Sequence, residues 1–309
     1  MSLWLPYYLR KIARPPIIQV PAAGMRARGY FEFFKTYPNG VREKVAEAPN
    51  IITNNGQNLA FTNANPTNSC FISTGTATPA ATDTQLTSPA VTGSVTGSTL
   101  NTVDVGPPYQ RRTTITYRFA VGTLNGNYTE VGVGQAFNNL FSRALIVTAG
   151  GTPTPLNILP TEQLDVTYTL CDEVITTDVP FSVTISGTPY TGFFRRFATN
   201  IASNIVPSSF AFNAAVAYSG TLPVHTSSTI PTGSLGGASS ITPGAYTAGN
   251  FFRDHTIVWN TTTGNGSIRS VIFGVPGNNL QFGMQFDSAL VKTNLQSLTL
   301  VIRLPFVRV

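Results

Sequence analysis

The sequence predicts an all-β protein of two tandem antiparallel jelly-roll-like β-sandwiches with an extended N-terminal arm. Three observations carry this: strand-period alternation, Asn-Gly turn signals at short intervals, and a faint duplication at an offset of 140 positions. In the duplication, Asn125-Gly126 recurs as Asn265-Gly266, Gly134 as Gly274 and Asn138-Asn139-Leu140 as Asn278-Asn279-Leu280. Phe119 falls opposite Trp259 and Val131 opposite Val271 in the same register. The repeated pattern belongs to turns and strands and contains no catalytic residue.

Residues 1–28 form the expected arm. Pro6, Pro15, Pro16 and Pro21 forbid a long helix and favour extended backbone. Trp4, Tyr7, Tyr8, Arg10, Lys11 and Arg14 are the candidate docking residues, with a neighbouring subunit or another protein as the expected partner. A strand laid across its own domain is the competing reading.

The first β-sandwich is expected over 29–172 and the second over 173–309. Thr113, Ile115, Tyr117, Phe119 and Val121 alternate with Thr114, Thr116, Arg118 and Ala120, as a half-buried strand requires. Leu164, Val166, Tyr168 and Leu170 repeat the pattern, as do Leu280, Phe282, Met284 and Phe286 and the final Leu298, Leu300, Ile302 and Leu304. Asn39-Gly40, Asn55-Gly56, Asn125-Gly126 and Asn265-Gly266 read as tight hairpin turns, because both residue types tolerate positive φ. Helical spacing is confined to Phe193–Ile205. Two Ser/Thr/Gly/Ala/Pro-rich stretches, 72–106 and 219–249, are expected as long ordered surface loops of the kind that carry partner contacts.

Composition narrows the function. Charged residues are 10% of the 309, well below the share usual in soluble domains. The net charge of +6 is concentrated at the start, where the first fifty residues hold eight basic side chains against three acidic ones. The β-units are thus nearly neutral. Arm basicity interleaved with aromatics would suit single-stranded nucleic acid, but an acidic protein partner is favoured and nucleic acid disfavoured. Cys70 and Cys171 are expected to be reduced and structural, with no metal site and no cofactor. No stretch has the length of a membrane span, and the apolar-then-basic N-terminus is the reverse of a secretory signal.

Candidate chemistry is thin. His225 reads as a solvated loop residue and His255 as a strand-edge residue. Glu162 and Asp165 are expected on opposite strand faces, poor geometry for joint acid–base work. Asp172 and Glu173 read as solvated charges at a hinge between the units. Gly132-Val133-Gly134 lacks the third glycine and the following helix of a phosphate-cradling loop. An enzyme is therefore not expected, and no catalytic residue is assigned.

Residues 127–134 (Asn-Tyr-Thr-Glu-Val-Gly-Val-Gly), followed by Leu140-Phe141-Ser142-Arg143-Ala144-Leu145-Ile146 and Leu159-Pro160-Thr161-Glu162-Gln163-Leu164-Asp165-Val166-Thr167-Tyr168, resemble a signature of structural proteins of tailed bacteriophages. Pro49–Gly56 is similar to the usual opening of the same domain. The resemblance runs from near Gly29 to Leu170, about half the chain. It implies a non-enzymatic virion component of the tail, collar or fibre type, assembled in the host cytoplasm and bound to copies of itself and to other neck or tail proteins. The second unit, 173–309, departs from the pattern and lacks the Ser-Arg-Ala and Glu-Gln-Leu-Asp elements. Glu130 and Arg143 lie on neighbouring strands and are expected to form a structural ion pair. Two alternatives remain: a host-surface glycan receptor using Tyr190, Phe193, Phe194, Tyr246, Phe251 or Trp259 for stacking, and a polysaccharide depolymerase, which the scarcity of His and of paired carboxylates disfavours.

Overall fold

The structure, a computed structural model, describes residues 17–18, 24–62, 65–87, 90–104, 106–147, 152–197, 211–227, 229–275 and 278–309. Among these, strands dominate and there is one helix. β1 (Ile17–Ile18), β2 (Met25–Thr36), β3 (Arg42–Pro49) and β4 (Ile51–Ile52) lead into α1 (Asn54–Thr62). β5 (Ser69–Ser73), β6 (Val91–Val103), β7 (Gln110–Phe119) and β8 (Gly126–Tyr128) follow, then β9 (Glu130–Ala136), β10 (Asn139–Leu145), β11 (Leu156–Ile158) and β12 (Gln163–Glu173). The remainder holds β13 (Val179–Ile185), β14 (Thr188–Arg196), β15 (Ala214–Tyr218), β16 (Ser234–Gly237) and β17 (Ser240–Pro243), and then β18 (Phe252–Trp259), β19 (Gly266–Val275), β20 (Asn278–Lys292) and β21 (Leu298–Arg308).

The strands form a 13-stranded sheet with the path β17-β18-β21-β2-β12-β7-β6-β5-β9-β10-β4, joined by β1 on β21 and β3 on β2. A six-stranded sheet runs β13-β14-β20-β19-β15-β16, and β8 pairs with β11. The register of the β9–β10 hairpin recurs in β19–β20 at the 140-residue offset: Val133↔Ser142 becomes Phe273↔Phe282, Gly132↔Arg143 becomes Ile272↔Gly283, and Val131↔Ala144 becomes Val271↔Met284. Gly126 and Gly266 both have a φ of 131°, open to glycine and strained for other residues. The succession β12-β7-β6-β5-β9-β10-β4 reappears as β21-β18-β17, then β16-β15-β19-β20-β14. The long β6, which pairs with both β5 and β7, is there replaced by two short strands separated at Ala238-Ser239. The 72–106 and 219–249 stretches therefore contribute strands as well as loops.

The halves are not independent. β21 pairs in parallel with β1 at Ile17↔Val301 and with β2 at Met25↔Phe306. Strand structure thus begins before residue 28, and residues 17–18 and 25–28, expected in the arm, lie within the main sheet. One hydrophobic cluster runs from Phe31, Tyr117 and Tyr168 to Trp259, Phe273 and Leu300.

Alternation places the core as expected on β7 and β21 but understates β12, where Asp165, Thr167, Thr169 and Cys171 on the outer face are buried as well. β12 is central, paired to β2 and β7 along nearly its whole length, and longer neighbours such as Phe34, Tyr30 and Arg118 overhang its short side chains. Asn55-Gly56 is not a hairpin turn. It sits in the first turn of α1, whose N-terminus is capped by Thr53 Oγ1 accepting from the Gly56 amide at 2.8 Å. A Cβ on Gly56 would lie 2.0 Å from the Phe141 carbonyl oxygen, so close approach of α1 to β10 is what selects glycine there. The helical spacing from Phe193 is likewise overridden, since β14 runs through Arg196. The rest of that stretch falls outside the described residues.

Candidate functional site

Two polar clusters concentrate the buried charge. The first is built on the β9–β10 hairpin. Glu130 opens β9 and Arg143 lies diagonally across on β10, one face of the pleat bringing their side chains together. Arg143 donates to Glu130 Oε2 from Nε at 3.0 Å and from Nη2 at 2.5 Å. Its Nη1 donates to Asp83 Oδ2 at 2.6 Å, and its Nη2 to the Ala77 carbonyl at 2.9 Å and Thr87 Oγ1 at 3.2 Å. Glu130 Oε1 accepts from the Thr87 amide at 2.7 Å and from the Ser73 hydroxyl. Glu130 and Arg143 are 0% and 3% exposed. With all three guanidinium nitrogens and both Glu130 oxygens engaged, the cluster clamps the loop following β5 onto the sheet.

In the second half the same positions are Ser270 and Gly283. The space beside Gly283 is filled by Leu222 and Phe197, which with Tyr218 and Ile272 form an apolar cluster. The charged clamp of one hairpin is thus an apolar one in the other.

The second cluster joins the halves. Asp172, expected as a solvated hinge charge, is fully buried. Arg196 donates to both its oxygens, at 3.0 and 2.7 Å, and Arg111 also pairs with it. The Arg26 amide reaches Asp172 Oδ1 at 3.2 Å, and Arg196 caps the Gly24 carbonyl at 3.1 Å. Burial by itself would raise the Asp172 carboxyl, but the two guanidiniums outweigh it and hold it below the ordinary range. Burial, with repulsion from Arg196, lowers Arg111. The pairing of Asp172 with Arg111 and Arg196 fixes the last residues of β12, where the chain passes from one half to the other. Sequence pattern hides this, since Arg196 is 24 positions from Asp172.

α1 adds a third tie. Gln57 Nε2 donates to the Phe306 carbonyl at 2.9 Å, Tyr246 donates to Asn58 Oδ1 at 2.6 Å, and the Phe61 and Tyr246 rings stack at 4.7 Å.

Other singled-out residues are engaged in structure. Glu162 pairs with Lys35 at 2.9 Å, and Asp165 accepts two bonds from Arg118. Burial pushes the Glu162 carboxyl up, while the Leu159 amide and Lys35 bring it below its usual value. His255 is not at a strand edge. It is fully buried on the core face of β18 beside the Phe212 ring, centroids 4.9 Å apart. His225 is half-buried, edge-on to Tyr109. Of the proposed stacking aromatics, Trp259 and Phe194 are core, Tyr246 lies on α1, and Tyr190 packs on Phe286. Trp259 and Phe194 are thus withdrawn from the surface, while Tyr190 and Tyr246 are half-buried. Cys70 and Cys171 are buried and unbridged, and burial raises both thiols. No group of three or more His, Cys, Asp or Glu with metal-holding geometry occurs among the described residues, and no helix there is long and apolar enough to cross a membrane. Trp4, Tyr7, Tyr8, Arg10, Lys11 and Arg14 lie outside the described residues. Comparison with protein-family models, with curated proteins and with solved structures finds no match.

Proposed function

We propose that the chain is a non-enzymatic structural component of a tailed-phage virion, a neck or collar protein or a fibre attached to the tail. It docks by its N-terminal region and assembles as a homo-oligomer built on two tandem jelly-roll-like sandwiches. The observation that carries the reading is the work done by the residues of the resemblance. Glu130 and Arg143 clamp a loop, Glu162 holds Lys35, and Asp165 holds Arg118, so the acidic and basic members of that signature serve as fasteners. A scaffold needs such fixed ion pairs, whereas acid–base catalysis needs carboxylates facing a substrate. The recurring hairpin register and strand succession support the tandem architecture.

The test is the solution mass of the full chain beside a chain lacking residues 1–16, by light scattering on a sizing column. The truncation stops at 16 because β1 begins at Ile17. A closed oligomer of the full chain is expected. A monomer at all concentrations counts against self-assembly, and release of reducing ends from a host polysaccharide overturns the non-enzymatic reading.

A further inference from the structure

β13 is the outer strand of the six-stranded sheet, and among the described residues it pairs only with β14, although β1 lies near it without pairing. An open edge invites another strand, and proteins usually defend one by shortness, charge or proline. β16 and β17 have four residues each, β17 ends on Pro243, and β4 has two. β3 carries Arg42, Glu43, Lys44 and Glu47. β13 has seven residues, Val-Pro-Phe-Ser-Val-Thr-Ile, and no charge; its one proline, Pro180, lies at its start and leaves residues 181–185 without such a defence.

Its hydrogen-bond phase follows from the turn. Ser186 and Gly187 have φ of 50° and 83°, a two-residue turn of type I′, so the flanking pair Ile185↔Thr188 exchanges both its backbone bonds. Alternation then turns the amides and carbonyls of Val183, Phe181 and Val179 toward β14, and those of Thr184 and Ser182 toward the open edge. The prolines agree: Pro189 lies opposite Thr184 and Pro180 opposite Phe193, both in pairs that need no N–H. Pro180 therefore offers the open edge a carbonyl but no donor.

The geometry points to β13 pairing antiparallel with β13 of a second copy, across a two-fold axis at Val183. In this register Ser182 faces the partner's Thr184, and Thr184 faces the partner's Ser182. Each residue donates and accepts, while Pro180 falls opposite the partner's Ser186, which lies in the turn beyond the end of β13, so the ladder closes before a donor from Pro180 is needed. Phe181, Val183 and Ile185 continue the inner apolar face, Ser182 and Thr184 are exposed on the outer one, and the two six-stranded sheets become one. This deepens the homo-oligomeric part of the proposed function and rests on it. The competing occupant of the edge is the arm, residues 1–16.

The experiment measures the dissociation constant of the full chain by sedimentation or light scattering over a concentration series. It compares the native chain, Ser182→Lys with Thr184→Lys, Ser182→Lys with Thr184→Glu, and the chain lacking residues 1–16, with melting curves confirming that each folds. The double-lysine variant sets lysine against lysine twice and should weaken the dimer at least about tenfold; the lysine–glutamate variant sets opposite charges together and should restore it. The chain without residues 1–16 should still dimerise. A double-lysine variant with native affinity, a lysine–glutamate variant as weak as the double-lysine one, or loss of the dimer on removing residues 1–16 overturns the edge pairing. In the first case a persisting oligomer leaves self-assembly standing, whereas a native chain that is monomeric throughout sinks both proposals.

Discussion

Lowering the pH should loosen the second half through one residue, His255. Its ring is buried on the core face of β18, beside Phe212 and opposite Ile302, with Arg253 two positions away on the same strand. Burial and then the Arg253 charge push its pKa down to about 4, opposed only in part by Asp254 and by backbone groups of Arg253 and Ile302. The unfolded chain binds the proton near pH 6.5, so between about 6.5 and 4 the unfolded state carries a proton that the native state does not. The stability that depends on a neutral His255 is therefore complete above pH 6.5 and is lost as the pH falls through about 4. Between pH 7 and 4.5 the loss is about 2.5 kcal/mol, or roughly 5 °C in Tm for a chain of this size. The control is His255→Ile, because the corresponding position of the first half, 140 residues earlier, is Ile115, which faces Tyr168 as His255 faces Ile302. Melting followed by the fluorescence of buried Trp259 at the two pH values isolates the histidine, since carboxylate titrations are common to both proteins. Parallel pH dependences for native and variant chains would refute the reasoning.

Two substitutions probe the buried ion pairs. Asp172→Asn takes its counter-charge from the buried Arg111 and Arg196, and scanning calorimetry should show a loss of about 3–5 kcal/mol, more than the half-buried Asp254→Asn gives by the same measurement. Equal, small losses for both would mean that the junction is hydrated. Arg143→Ala strands the Glu130 carboxylate, with a comparable loss, and it also loosens residues 76–87, which keep backbone ties such as Leu86 to Phe137 and Leu140 to Thr84. Limited proteolysis should then cut that loop first, and an uncut loop with an unchanged melting temperature would remove the clamp from the account.

Legibility in the sequence followed the range of the interaction. The strand faces of β7 and β21 and the turns at Gly40, Gly126 and Gly266 are local facts, set by period-two alternation and by residues that accept positive φ. The ion partnership of Glu130 and Arg143 could be anticipated because a hairpin brings neighbouring strands together, but its reach to Asp83 could not, because a loop's path is a tertiary matter. Asn55-Gly56 failed as a turn signal for a related reason. Glycine there serves close packing of α1 on β10, and glycine selected by crowding looks the same in sequence as glycine selected by φ.

The sequence by itself determined the all-β class, the strand periods and the repeated hairpin, since these depend on contacts within a few residues or on a pattern copied whole. Only the tertiary structure decided that β21 joins β2, that Asp172 is buried between Arg111 and Arg196, and that His255 lies in the core. Charge and aromatic residues are written identically whether solvated or enclosed. What encloses them here is chain tens of positions away, Arg111 and Arg196 around Asp172 and Phe212 and Ile302 around His255, brought in by strands whose pairing depends on backbone groups common to every residue.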